Sequence, residues 1–313
     1  MEERIDTYLL KIVQPNFPNV SRSFIQNNID KIVTVNGNTV KQSYKIKETD
    51  NIEINQDKIE KLLSTAKDTE IITPQKGPLD ILYEDSNCLV LNKPKGIPVQ
   101  PGANNKDNTL ANYVKNYLIE KKEYDSQVNR AGIVHRLDKP VSGIILFAKT
   151  RTSQKYYQKQ FENHTVQKLY KAKVDGLGEL TSLEEGSTIE EEITKLENDN
   201  YKCDDTWYKV EGYIGRNKYN RKKMFFSKFQ SKTNKYALTY VKPLDNNVLL
   251  IKIETGRMHQ IRASLEYLNI HIVGDTLYVD KTGSKGIPEK IELESIYLKI
   301  KNIDDEELKI KLY

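Results

Sequence analysis

The sequence predicts an α+β chain built from two units, and three observations carry that prediction. Alternating β-branched runs outnumber runs of helical period, and the helical ones fall between them, which favours a mixed, mainly antiparallel sheet with helices packed on it. The chain has 313 residues, enough for two cores at roughly 150 residues per domain. A polar stretch with Lys58, Lys61 and Lys67, ending at Thr73-Pro74, reads as a linker over 56–77. The expected bounds are therefore 1–55, a linker at 56–77, and 78–313 with an acidic insertion at 178–207.

In the first unit, Ile5, Leu9, Ile12 and Val13 stand at helical spacing over 4–13. Ser21 is positioned to cap a short second helix through Ile25. Two β-branched runs, Ile32 to Val40, meet at Asn36-Gly37, the strongest short hairpin signal, and the IEI run at 52–54 reads as a third strand. In the second unit, ILYEDSNCLVLNKP reads as strand, turn, strand, closed by Pro94 and Gly96. Helical spacing returns over 108–119 and 152–163, around the apolar strand at 143–150. Strands follow at 169–176 and 236–255, then a helix at 258–268.

Charged residues make up 30% of the chain and the apolar set 37%, so a polar surface can enclose a core. No window approaches the ~18 to 20 apolar residues of a membrane span, and the acidic start, Met1-Glu2-Glu3-Arg4, lacks an apolar signal core. Cys88 and Cys203 are the only cysteines and lack CxxC spacing, which argues for a cytoplasmic chain and against a disulfide framework. Four histidines without HExxH spacing make metal hydrolysis a poor expectation.

Charge is unevenly placed. Residues 202–262 hold fourteen Lys or Arg against five acids, while 181–200 hold seven acids against Lys195. Within the basic block, Arg216, Lys218, Arg221, Lys222 and Lys223 lie among Tyr219, Phe225, Phe226 and Phe229. That pattern suits a phosphate backbone with stacked bases, and equally a solvated basic hairpin.

Two stretches can carry chemistry. In His135-Arg136-Leu137-Asp138-Lys139-Pro140-Val141-Ser142-Gly143 a charged loop runs into an apolar strand, so Asp138 sits at a strand mouth, either as a catalytic carboxylate or as a turn residue. In Thr255-Gly256-Arg257-Met258-His259-Gln260-Ile261-Arg262, Thr-Gly opens a helix and His259 and Arg262 share one face. Arg262 can pair with a buried carboxylate or lie on the surface; His135 and His259 read as structural histidines.

Five segments in order resemble the RluA-type RNA pseudouridine synthases: LVLNKPKGIPVQPG at 89–102, HRLDKPVSG, LYKAKVDG, IGRNKYNRKKM, and ETGRMHQIRASL with HIVGDTLY. The first 55 residues resemble the alpha-L RNA-binding module of ribosomal protein S-four type, in RIDTYL, Ser21-Arg22-Ser23 and VTVNGNTVK. They carry seven basic and seven acidic residues, so the positive bias of an independent RNA binder is missing. Val141, Met258 and Val279 depart from the family pattern.

The resemblance implies an isomerase that breaks the ribose bond to uracil N1, rotates the base and rejoins it at carbon five, without cofactor or metal. It assigns Asp138 as nucleophile or base, Arg262 as the cation that keeps it ionised, and Tyr170 as the ring that stacks on uracil and moves a proton. RNA contacts are expected at Arg136, Lys93, Arg216, Arg221, Arg257 and Arg22. Ribosomal RNA of the large subunit is the favoured substrate, ahead of transfer RNA, and a monomer with no membrane partner is expected. A non-catalytic RNA-binding or ribosome-assembly factor is the rival reading. Asp138 separates the two, because a pure binder gains nothing from a carboxylate that repels phosphate.

Overall fold

Ile5, Leu9 and Val13 fall on one side of helix α1 (Ile5–Val13), and burying that side starts the first core. A computed structural model describes residues 3–17, 20, 22–69, 72–102, 105–178, 180, 185–186, 206–244, 247–278 and 290–312. The chain divides into Met1–Ile71 and Ile72–Tyr313.

In the first unit α2 (Arg22–Ile32) adds Ile25, Ile29 and Ile32 to the core. It is longer than the sequence predicts, and the expected cap, Ser21, lies outside the described residues. Asn36 and Gly37 both take positive φ, 51° and 76°, and Val35 and Asn38 exchange hydrogen bonds of 2.8 and 3.0 Å, so the tight turn forms. It does not continue as a hairpin. Strand β1 (Val33–Val35) pairs antiparallel with β2 (Ile52–Ile54), the IEI run, because those residues offer apolar side chains to the same core. The expected linker is also corrected at its start: α3 (Gln56–Thr69) packs on this unit, with Ile59 fully buried. A truncation meant to remove the first unit therefore belongs after Ile71.

The second unit is one mixed sheet with helices on it. Its strands are β3 (Ile81–Glu84), β4 (Cys88–Lys93), β5 (Ser142–Ala148), β6 (Gln167–Lys173), β7 (Glu185–Gly186), β8 (Trp207–Arg216), β9 (Met224–Ser227), β10 (Lys235–Leu244), β11 (Val248–Ile253), β12 (Leu293–Lys301) and β13 (Glu307–Lys311). The order is β3-β4-β5-β12-β6-β11-β10-β8-β7, with β13 on β12 and β9 on β8. Every pairing is antiparallel except β5 with β12. Helix α4 (Leu110–Glu120) and α6 (Gln260–Tyr267) bury Leu110, Val114, Ile261 and Leu265 in the core that holds Leu89, Ile145 and Tyr170. Helix α5 (Arg151–Glu162) packs Tyr157 on the second cluster, with Cys88, Ile144 and Leu146. Strand β5 is buried at every residue, which explains its unbroken apolar run. The acidic insertion lies almost wholly outside the described residues.

Helix α6 starts later than the sequence predicts. Thr255-Gly256 does not open it; His259 stands before its first residue with φ 52°, in the left-handed region. The Gln260 side chain explains the delay. It accepts from the Thr255 hydroxyl (2.7 Å) and the Arg257 N–H (3.0 Å), and donates to the Leu238 carbonyl and Thr239 hydroxyl, both 3.0 Å. All four hydrogen-bonding positions of that amide are used, fixing the 255–259 loop to β10.

Candidate active site

Asp138 lies in a tight turn that feeds β5, its carbonyl accepting the Val141 N–H at 3.1 Å. Gly143 has φ 109°, and a Cβ there would come within 2.2 Å of the Ser295 carbonyl oxygen, so only glycine lets β5 and β12 meet beneath the turn. The back of the turn is clamped by the Lys-Pro-x-Gly segment: the Gly96 N–H and the Lys93 ammonium both donate to the Lys139 carbonyl, at 2.9 and 3.1 Å.

Lys93 is fully buried, and its other two donors go to the carbonyls of Pro94 and Ile97, both at 2.8 Å. Burial pulls its pKa down to about 8, against the opposing pull of the Asp138 charge. The expectation of a phosphate contact at Lys93 is therefore corrected: an ammonium with three carbonyl partners and no exposed surface has nothing left for RNA.

Arg262, on α6, is held first by a carboxylate that the sequence did not single out. Its Nε and Nη2 donate to the two oxygens of Asp275 at 2.7 Å each, a bidentate pair with both side chains buried. Asp275 also accepts the N–H groups of Leu277 and Tyr278, at 3.1 and 3.3 Å. The remaining Arg262 nitrogen, Nη1, reaches Asp138 Oδ2 at 3.4 Å. So Arg262 does face Asp138, but as a guanidinium already locked in place. Burial disfavours its charge, and the Asp275 bonds outweigh that and raise its pKa.

His259 Nε2 stands 3.7 Å from the same Asp138 oxygen, beyond a hydrogen bond. Burial lowers its pKa below the ordinary 6.5 despite the nearby Asp138 charge, so it is a neutral imidazole at pH 7. Its Nδ1 lies 3.1 Å from the Tyr278 hydroxyl, which accepts the Met224 N–H at 2.9 Å, and the Tyr278 ring lies under Arg262 at 4.8 Å. Asp138 is thus the most open of these groups, 27% exposed, against a wall of Arg262, His259, Asp275 and Tyr278.

Tyr170, on β6, is buried, and its pKa is raised by burial first and by the Asp138 charge second, with the Ser295 hydroxyl offsetting part. It is a protonated phenol at neutral pH. His135 is structural. Strands β5 and β12 pair only over Ser142–Gly143, and the His135 Nε2 accepts the Leu146 N–H at 3.0 Å beyond that point. Its ring stacks on Phe161 at 4.4 Å, and burial with the nearby Lys168 charge pushes its pKa down to about 3.

The other expected RNA contacts fall into two groups. Arg136 and Arg221 are exposed and make no ion pair among the described residues. Arg216 is exposed but braced, its Nη1 on the Arg221 carbonyl at 2.6 Å and its Nη2 3.8 Å from Met258 Sδ. Arg257 donates Nε to the Tyr236 carbonyl at 2.8 Å, and Arg22, in the first unit, pairs with buried Asp6 at 3.1 Å. No cluster of three or more His, Cys, Asp or Glu among the described residues is placed to hold a metal. No helix among them is long and apolar enough to cross a membrane.

Comparison with known proteins identifies the family. Residues 87–267 match the family described as RNA pseudouridylate synthase. The ribosomal large subunit pseudouridine synthase D of Borreliella burgdorferi is 32% identical over 289 residues, covering 90% of this chain and 77% of that protein. The protein of the same name from Yersinia pestis is 31% identical, covering 98% and 81%. The solved structure of human RNA pseudouridylate synthase domain containing 1 shares the fold, with a TM-score of 0.54 at 22% identity over 76% of this chain and 86% of that one.

Proposed function

Because the chain belongs to the RNA pseudouridylate synthase family, we propose that it isomerises specific uridines of large-subunit ribosomal RNA, with Asp138, Tyr170 and Arg262 as the residues that carry the reaction. The observation that supports this most is the partly exposed Asp138 carboxylate facing a guanidinium whose other nitrogens are fixed by Asp275. The bond from ribose to N1 breaks, a bond from ribose to carbon five forms, N1 gains a proton and carbon five loses one. Asp138 is the nucleophile or base; Arg262 holds its orientation and balances its charge. Tyr170 stacks on the extruded uracil and passes a proton through its hydroxyl. The protein works as a monomer, and in the cytoplasm, where a reducing compartment suits the buried free thiol of Cys88. Purified protein incubated with transcripts of large-subunit ribosomal RNA and of transfer RNA, followed by pseudouridine mapping, tests the substrate: sites confined to transfer RNA contradict it.

Tyr170→Phe keeps the ring and loses the hydroxyl. RNA affinity should stay within a factor of a few while turnover falls on the order of a hundredfold or more. Unchanged turnover would reduce Tyr170 to a stacking surface.

Lys93 sets an alkaline limit. As pH rises through about 8 the ammonium loses its proton and can no longer donate to all three carbonyls, of which the longest bond, to Lys139 at 3.1 Å, holds the Asp138 turn. The rate at saturating RNA should fall with a midpoint near 8. Linkage excludes destabilisation through Lys93 as the cause: between about 8 and the ordinary 10.5 the unfolded chain keeps a proton that the folded one has lost, so stability from this group rises with pH. A flat profile to pH 9.5 would contradict the clamp.

The basic block divides by residue. Lys222 is exposed and without an ion pair among the described residues, whereas Lys223 pairs with Glu266 at 3.0 Å. Lys222→Ala should flatten the slope of log affinity against log salt by about 0.7 to 0.9, and Lys223→Ala should leave it near the wild-type value. Equal changes in both variants would show that the Glu266 pair opens on binding.

A further inference from the structure

Among the described residues, Tyr219 and Phe229 are the most exposed large apolar side chains, 100% and 82% exposed. Neither ring touches the core, yet each rides on a pinned turn. The Asn217 side chain accepts the N–H groups of Tyr219 and Asn220 at 2.9 and 3.0 Å, and the Asn217 N–H donates to the Lys223 carbonyl at 3.1 Å. The Phe229 N–H donates to the Ser227 hydroxyl at 3.0 Å, and its carbonyl accepts from Ser227 and Asn234 at 3.1 and 2.9 Å. These turns hold their rings out in water. Phe226 differs: it is buried and packs on Tyr267 at 4.8 Å.

Both turns grow from one stretch of β8, since Tyr213 pairs with Ser227 of β9 on one side and Tyr236 of β10 on the other. Residues 216–235 hold eight Lys or Arg and no acid, so the surroundings of both rings are cationic. The first turn is fastened to the site wall. Arg216 bridges the Arg221 carbonyl and Met258, next to His259; Lys223 reaches Glu266, and Met224 reaches Tyr278. A polyanion with flat apolar faces is the ligand this chemistry fits.

We propose that Tyr219 and Phe229 are stacking platforms for two unpaired nucleotides flanking the target uridine, so that this site takes RNA loops with splayed bases and rejects continuous helix. The inference rests on the RNA isomerase reading above. In A-form helix the base faces are covered by their neighbours, whereas a loop offers them. Stacking on each ring also offsets part of the few kcal/mol needed to extrude the uridine.

The test uses full-length protein and two RNAs of equal phosphate number: a large-subunit ribosomal stem-loop in which the wild type forms pseudouridine, and a fully paired duplex. Tyr219→Ala and Phe229→Ala should each weaken stem-loop binding roughly tenfold, leave the duplex unaffected and leave the salt slope unchanged. Trp at either position should restore affinity. An abasic site beside the uridine should reproduce the loss in wild type and add little in the matching Ala variant. Unchanged stem-loop affinity, or an equal loss on duplex, overturns the proposal. Ring-dependent binding to phosphatidylglycerol vesicles with stem-loop affinity intact would assign the rings to a membrane surface and overturn it too. If the wild type makes pseudouridine and the Ala variants bind the loop normally, this inference fails alone. A wild type that makes none in any RNA removes the reading beneath it as well.

Discussion

Asp138→Asn should leave a folded, RNA-binding protein whose turnover has fallen on the order of a thousandfold or more. The substitution removes one charge and changes almost no volume. Asp138 is 27% exposed, and Arg262 keeps both Asp275 bonds without it, so little stability is at stake. What disappears is the partly exposed carboxylate, and with it the group that attacks or accepts a proton. RNA affinity should hold or rise slightly, because a charge that repels phosphate is gone. Single-turnover measurement at saturating RNA separates chemistry from binding; a rate within tenfold of wild type would remove Asp138 from the reaction.

Asp275→Ala should be damaging twice over. It strips a buried guanidinium of its bidentate partner, and breaking such a pair from one side costs about 3–5 kcal/mol. Urea unfolding should show that loss. Turnover should drop as well, since Arg262 is then free to swing toward Asp138 or away from it. Replacing Arg262 and Asp275 together by Leu removes the uncompensated charge and should recover part of the stability while turnover stays lost. Recovery of turnover in the double variant would mean that the pair is only structural.

The residues that the sequence made legible are those whose local pattern is itself unusual. A charged HRLD run entering an apolar strand marks Asp138, and β5 is that strand, buried throughout. His259 and Arg262 both come near one Asp138 oxygen, at 3.7 and 3.4 Å, but only Arg262 does so from the helix; His259 reaches it from the left-handed residue before α6. What stayed hidden depends on distant contacts. Asp275 is a lone acid in a turn, and nothing periodic ties it to Arg262, thirteen residues earlier. Lys93 shows only its charge in the sequence; its burial comes from the Lys139 turn, 46 residues on. Asn36-Gly37 makes its turn, but β1 pairs with 52–54 because tertiary burial outweighs the local signal. No motif marks β12, whose Ser295 lies beneath Gly143 and opposite Tyr170.

The most direct test of the central claim is tritium release from ribosomal RNA labelled at carbon five of uridine, run with a chelator and no added cofactor. Forming the new bond to ribose expels that hydrogen, so release counts isomerisation events one for one. Wild type should release tritium in proportion to pseudouridine mapped in the same RNA, and Asp138→Asn should release none above background. RNA that is bound tightly by both proteins with no release from either would contradict the account and leave a protein that binds RNA without altering it.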